Sequence, residues 1–272
     1  MQKAEIWQLK RPLIPLWLGN DYIRLGVEAD AVFEQVPEAL KGPLLLLNRP
    51  QTENSLVRLT PELDRKWIRW LLGQLDAGGL LCHGRPTATT AVRVIGRGRL
   101  AEDIMSGLSQ AGVPCLPRSA RLPDVGFAVL ATGTMEPDRL LVRDLRMAGI
   151  PHMPVRIWPG RARVGPLVNP GRTACLRCLD MARSATDREW AHVLPQLCSL
   201  SQRATPPLLA WAVATAVLQV QAYCRGTTAD AVSRVLELDG AENRFSVEEI
   251  RPHPYCNCVE NGDEYAATWI PW

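Results

Sequence analysis

Four of the eight cysteines in this 272-residue chain stand in two close pairs. "TACLRCLD" (173–180) holds Cys175 and Cys178 at CxxC spacing, and "HPYCNCVE" (253–260) holds Cys256 and Cys258 at CxC spacing, with 77 residues between the pairs. Two thiolates on one tight turn form half of a tetrahedral site, and a closed structural zinc site takes four such ligands. Zn2+ bound by Cys175, Cys178, Cys256 and Cys258 requires a fold that returns the chain's end to residue 175, so metal binding would contribute directly to folding. His253 stands close enough in sequence to act as a substitute ligand. A CxxC alone also suits a redox pair, and four incidental buried thiols are the third reading. Cys82, Cys115, Cys198 and Cys224 lack paired spacing and read as small buried hydrophobes.

Metal thiolates imply a reducing compartment. The N-terminal "MQKAEIWQLKRPLIPLW" has no apolar run of signal-peptide type. The longest apolar stretch, 206–220, carries Thr215 and Gln219 and is short for a membrane span, so it reads as a buried helix. The expectation is a cytoplasmic globular protein with no membrane partner. Net charge is +1 over residues 1–85, +6 over 86–174 and −4 over 175–272, and only four lysines occur in the chain. The arginine-rich middle suits an anionic partner or a plain compositional preference.

Two styles of sequence meet near residue 85. Before it, "DYIRLGVE" and "AVFEQV" read as short strands, followed by helical patterns over 37–47, after Gln51-Thr52, and from Thr60 onward. Thr60 as N-cap with Pro61 at the first helical position predicts a helix burying Leu63, Trp67, Trp70, Leu71 and Leu75. A hairpin with three helices has the size of a winged-helix module. "GRPTATT" (84–90) reads as a linker. Beyond it strand and helix alternate: "AVRVIG" and the helix after it, "FAVLATG", "EPDRLLVRDLRMAG", "IPHMPVRIW", "RARVGPLV" and the long "PPLLAWAVATAVLQVQAYC". That alternation predicts an α/β domain over 86–272 with a mostly parallel sheet, closed by a hairpin turning at Asp239-Gly240.

"VIGRGRLA" matches G-x-G-x-x-A with Gly96, Gly98 and Ala101, between a strand and a helix, which is the setting of a nucleotide turn. Such a site needs an acid at the end of the next strand for the ribose hydroxyls. That strand is "VPCLPRSA", where Arg118 stands and no acid appears before Asp124. The turn reads as a structural remnant, and ATP is not expected as a cofactor.

These parts together resemble the ThiF/ubiquitin-activating-enzyme superfamily. "VGPLVNPGRTACLRCLDMARSATDREWAHVLPQL" (164–197) is similar to the ThiF-like proteins of azole-forming peptide pathways, the thiazole/oxazole-modified microcins. Residues 1–85, with "PLIPLWLGNDYIRLGVE" and "LDAGGLL", resemble the PqqD-type winged-helix domain fused to them. The resemblance implies a degenerate Rossmann-like ThiF-type domain with a structural zinc site, preceded by a small winged-helix domain. It also implies that a ribosomal precursor's leader peptide adds a strand to the winged-helix sheet. The edge would be Ala31, Val32, Phe33, Glu34 and Gln35, and Arg65 and Arg69 would line the groove wall. Adenylating relatives use an acid on the ribose, a lysine and arginine near the phosphates and an Asp for magnesium. Here the acid is missing, 86–174 holds no lysine, and Asp144 falls inside a helical pattern.

The resulting expectation is a non-catalytic subunit that presents a precursor peptide to a YcaO-type cyclodehydratase, with a homodimer as the state common in the superfamily. An ATP-dependent adenylyltransferase acting on a peptide or carrier carboxylate is the alternative. A nucleic-acid binder would want a basic recognition helix, and the +1 charge of residues 1–85 argues against one. A nicotinamide oxidoreductase has only the glycine turn in its favour. Trp269 and Trp272 at the chain's end would be costly to leave wet, and are expected to dock on this protein, a second copy or the enzyme partner.

Overall fold

The computed structural model describes residues 5–10, 12–19, 21–83 and 90–259. Most of the expected linker and the tryptophans Trp269 and Trp272 lie outside the described residues. The chain divides into two compact units, Met1–Ala88 and Thr89–Trp272.

The first unit runs β1 (Ile6–Leu9), β2 (Pro15–Gly19), β3 (Tyr22–Leu25), β4 (Ala31–Phe33), α1 (Lys41–Leu46), β5 (Gln51–Thr52), α2 (Glu53–Leu59), α3 (Arg65–Ala77) and β6 (Leu81–His83). Strands β2, β3 and β4 form an antiparallel meander, and β5, β1 and β6 form a second small antiparallel sheet. Alternation sends Ile23, Leu25 and Phe33 inward, onto Leu40, Leu44, Leu56 and α3.

Helix α3 starts a turn later than its sequence predicts. The Thr60 hydroxyl donates to the Leu56 carbonyl at the end of α2 (2.8 Å), so it does not cap α3. The Asp64 carboxylate instead accepts from the Lys66 amide (2.8 Å). The buried stripe is Leu63, Ile68, Leu71, Leu72 and Leu75, while Trp67 is half-buried and Trp70 is 37% exposed. Each such buried aliphatic contributes about 1.5–3 kcal/mol.

The second unit contains β7 (Val92–Ile95), α4 (Arg99–Gln110), β8 (Phe127–Leu130), α5 (Arg139–Met147), β9 (His152–Trp158), β10 (Arg161–Val164), α6 (Leu176–Thr186), α7 (Trp190–Ser199), α8 (Pro206–Cys224), β11 (Arg234–Asp239) and β12 (Arg244–Glu249). One six-stranded sheet runs in the order β12-β11-β10-β9-β8-β7. Only β7, β8 and β9 are parallel, and β9 through β12 pair antiparallel. The expected mostly parallel sheet is therefore a mixed one. The cause is the Pro159-Gly160 turn, which joins β9 to β10 with no length for a crossover helix.

Helices cover both faces of the sheet. On one, α4 and α8 pack on Val94, Phe127, Val129, Val155 and Ala162. On the other, α5 and α6 pack on Ala128, Leu130 and Val235. Helix α8 is long and apolar enough to cross a membrane, and a third of it is buried. The stripe of Leu208, Leu209, Ala212, Ala216 and Val220 is buried in the core, Trp211, Val213 and Val217 pack half-buried against it, and Leu218 is exposed.

Candidate functional site

The two cysteine pairs meet. Cys175 sits in extended backbone at the N-cap of α6, and Cys178 is in its first turn. Cys256 closes a turn in which its amide donates to the His253 carbonyl (2.8 Å), and Val259 bridges to Gly171. All four side chains are buried, and their sulfurs lie within 4.8 Å of one another. The separations are 3.9 Å for Cys175–Cys178, 3.7 Å for Cys175–Cys256 and 3.3 Å for Cys178–Cys258. A tetrahedral ion with metal–sulfur bonds of about 2.3 Å needs sulfurs about 3.8 Å apart, so the cluster fits one.

Its protonation fits as well. Hydrogen bonds from Cys175 and then Cys258 pull the Cys178 thiol down to about 4. Cys258 is pushed the other way, up, by its bonds with Cys175 and then Cys178. Four thiolates cannot share this space without a cation. His253 is not among the four ligands: its amide donates to Cys178 Sγ (3.3 Å), and its Nδ1 accepts from the Tyr255 amide (3.3 Å). Cys115, Cys198 and Cys224, expected to be buried, are half-buried thiols whose pKa values desolvation raises. The Cys82 side chain lies outside what is described.

The helix that begins at the cysteines carries a second constellation. Glu136, fully buried, accepts from Arg156 Nη1 (2.8 Å) and Arg139 Nη2 (2.9 Å). Arg139 also grips Asp180 of α6 through two bonds (2.7 and 2.9 Å), and the Trp190 indole N–H donates to Asp180 Oδ1 (3.2 Å). Burial works against the Glu136 carboxylate, but Arg156 and Arg139 outweigh it and hold its pKa below the usual range. Sequence reading missed this network. Its one local signal was Arg156, a charge inside the otherwise apolar run "HMPVRIW".

Gly96, Gly98 and Ala101 form the strand–turn–helix expected of them. Gly96 has φ +151°, and a Cβ there would stand 1.7 Å from the Ala131 carbonyl oxygen, so β7 ends too close to the chain after β8 for any side chain. Gly98 has φ +84° with nothing near its missing Cβ, and Ala101, in the first turn of α4, is fully buried. Next to β7, Cys115 bridges Val92 in parallel, and Arg118 follows where a ribose acid would stand. Arg118 reaches Glu102 of α4 (3.7 Å).

In the first unit, β4 is an outer strand of its meander. Val32 is 49% exposed on it, and Phe33 meets Trp70 of α3 edge-on, with ring centroids 5.9 Å apart. Trp67 packs edge-on against Trp70 (5.5 Å). Ala31, Val32 and Phe33 therefore lie beside α3, with Glu34 exposed and Gln35 turning the chain at φ +55°. Arg65 and Arg69 stay exposed on α3, and both pair with Glu53 of α2 (2.8 and 2.9 Å). The α3 residue against β4 is Trp70, which sequence reading had placed in the core.

No family model and no curated protein matches the sequence. Solved structures do match the fold. The heterocyclase TruD aligns at 16% identity and TM-score 0.61 over 94% of this chain and 43% of its own. A heterocyclase in complex with substrate and cofactor aligns at 17% identity and TM-score 0.66 over 99% of this chain and 41% of its own. MccB of E. coli, solved among others with ATP and with MccA, aligns at 11% identity and TM-score 0.53 over 93% of this chain and 96% of its own. The chain spans about two fifths of the heterocyclases' length. The resemblance carried by residues 164–197 is met at the level of architecture: this chain shares its fold with the TruD heterocyclase and with E. coli MccB.

Proposed function

We propose that this chain is a non-catalytic recognition and scaffolding subunit of azole-forming peptide biosynthesis. It binds the leader of a ribosomal precursor peptide and presents that precursor to a YcaO-type cyclodehydratase. The observation that carries this reading is the β4 edge. It is a short outer strand with an exposed Val32, walled by Trp70, on a unit read as a PqqD-like winged helix. An extended peptide added there gains backbone hydrogen bonds from β4 and an aromatic surface from α3. The shared fold with a heterocyclase and with a protein solved with MccA supports a peptide as partner.

The metal is zinc in this reading: four thiolates, tetrahedral spacing and full burial describe a closed structural site, which supplies folding energy. The site leaves no coordination position for substrate. Arg118 at the ribose position argues against ATP, so the proposed partners are peptide and enzyme, in the cytoplasm, with no nucleic acid and no membrane.

A titration of the zinc-loaded protein with candidate leader peptides, with and without Mg-ATP, tests this. Micromolar binding that ignores ATP and is abolished by Val32→Pro, which blocks strand addition, is expected. Measurable ATP affinity without leader binding overturns the reading. The open space at Gly98 favours a second one, an adenylyltransferase of the ThiF type, which pyrophosphate exchange dependent on a peptide carboxylate would reveal.

A further inference from the structure

Strands β9 to β11 alternate. Ile157, Ala162 and Leu236 belong to the core that includes α8, while Arg156, Arg163 and Glu237 occupy the other face in register. Over that polar face lies a cavity of about 370 Å³, lined by residues of β9 to β12 and of the α6–α7 junction. Its walls include Trp158, Arg163, Arg183, Trp190, Glu237 and Glu248.

Arg183 has an unusual place in it. Its guanidinium lies between two indoles, 5.1 Å from the Trp158 ring and 4.8 Å from the Trp190 ring. The side chain is only 17% exposed, yet it donates no hydrogen bond to any described residue, and Nη1 is enclosed without an acceptor. The acids around it are engaged. Glu237 is shared by Arg161 (3.5 Å) and Arg163 (2.8 Å). Glu248 makes its short contact to Arg163 (2.5 Å) and stays 3.8 Å from Arg183. Asp187 accepts from the Glu189 amide (3.0 Å). Burial and the nearby Arg156 both work against the charge on Arg183. Stacking on indoles stabilises the faces of a guanidinium but leaves its edge donors unmet.

We propose that this cavity is a subsite for an acidic peptide segment, whose carboxylate meets the edge of Arg183 while its backbone runs along β12. A carboxylate is the planar anion that satisfies a guanidinium edge with two parallel bonds. The volume holds one side chain with its flanking peptide units. Beside it β12 is exposed along its whole length as the outer strand of the sheet, ready to pair with extended backbone. The proposal rests on the reading of the chain as a peptide-binding subunit, and adds the chemistry of a second contact in the α/β unit.

The test uses the full-length zinc-loaded protein and follows its tryptophan indole N–H resonances. The probes are acetyl-Ala-Glu-Ala-amide, its Gln counterpart and inorganic phosphate. The Glu peptide should shift the Trp158 and Trp190 resonances saturably, about tenfold or more tightly than the Gln peptide. Arg183→Gln should remove that preference, with melting temperature and zinc content checked. Ser246→Glu, on an exposed strand, adds a repelling carboxylate without touching the core, and should also weaken the Glu peptide. Equal shifts from both peptides, no shift up to about 10 mM, or phosphate binding as tightly as the Glu peptide would each overturn the assignment. Val32→Pro separates the two readings. If it abolishes leader binding while the Glu probe still binds, both stand. A leader that binds wild type while the Glu probe never binds refutes the cavity alone, and a probe that binds where no leader does refutes the leader reading alone.

Discussion

Replacing Glu136 by glutamine isolates what its charge contributes. The amide keeps the shape and an acceptor for Arg156, but leaves a guanidinium whose side chain is 1% exposed with no carboxylate partner. Its other bond, to the Gly165 carbonyl (2.6 Å), is to a neutral acceptor. Arg139 is less affected because Asp180 holds it independently. Removing one member of a buried ion pair costs about 3–5 kcal/mol, a large share of the about 5–15 kcal/mol that holds a domain folded. Hydrogen exchange at the β9 and β10 amides should therefore quicken by a few hundredfold to a few thousandfold, at about 1.4 kcal/mol per tenfold. The pH dependence has a definite sign. The folded carboxyl titrates below the ordinary glutamate value of about 4.3, so its stabilisation is present above that value and lost as pH falls through the lower folded one. The gap in urea midpoint between wild type and E136Q should accordingly close on acidification. Exchange quickened by less than about tenfold at neutral pH, or a gap that widens in acid, would show that Arg156 is stabilised by something other than this carboxylate.

Three further outcomes are expected. Elemental analysis should find one zinc per chain, lost in Cys178→Ser and in Cys256→Ser. Gly96→Ala, whose Cβ would overlap the Ala131 carbonyl, should lower the melting temperature of the second unit far more than Gly98→Ala, which meets no atom and bears only the backbone strain of a positive φ with extended ψ, about 1–3 kcal/mol. In anisotropy titrations with leader peptide, Trp70→Ala should weaken binding by about thirtyfold, the effect of losing a hot spot of about 2 kcal/mol, while Arg69→Ala stays within about threefold. Equal effects of Trp70→Ala and Arg69→Ala would move the peptide off the β4 side of α3.

What the sequence disclosed followed from short-range chemistry. The spacings CxxC and CxC imply their geometry, because two thiolates on one turn can serve only one ion. Helix α8 begins at Pro206 and ends at Cys224, bounded by a proline suited to the first turn and by Gly226 just beyond. What it hid depended on contacts between distant residues. A two-residue turn after Trp158 reverses half the sheet, yet "WPGR" reads equally well as the start of a crossover. Leu63, Trp67, Trp70, Leu71 and Leu75 satisfy helical periodicity as one stripe, but shifting the start of α3 to Arg65 leaves Ile68 and Leu72 inside and turns Trp70 to β4. Arg65 and Arg69 read as solvent-facing residues and are so, and what the sequence hid is their shared partner, Glu53 of α2. Nothing local in "MARSATDREW" shows that Arg183 stacks on a tryptophan 25 residues earlier as well as on one seven residues later.

Helix α6 ties the four-cysteine cluster to the rest of the second unit. Cys175 and Cys178 hold its first turn, Asp180 receives Arg139 and the Trp190 indole, and Arg183 enters the cavity between two tryptophans. At about 1.5 Å rise per residue, Arg183 stands about 12 Å along the axis from Cys175. A tilt of about 5° at the cysteine end would carry it about 1 Å, beyond the about 0.5 Å tolerance of a preorganised site. The effect of a metal bound by the four cysteines would therefore reach past stability. By fixing the origin of α6 it would set the Asp180–Arg139 pair and the position of Arg183 together. Chelation should accordingly abolish the response of Trp158 and Trp190 to an acidic peptide before the second unit unfolds. The β4 edge, whose strands and helices draw on none of the four cysteines, should keep its affinity for the leader.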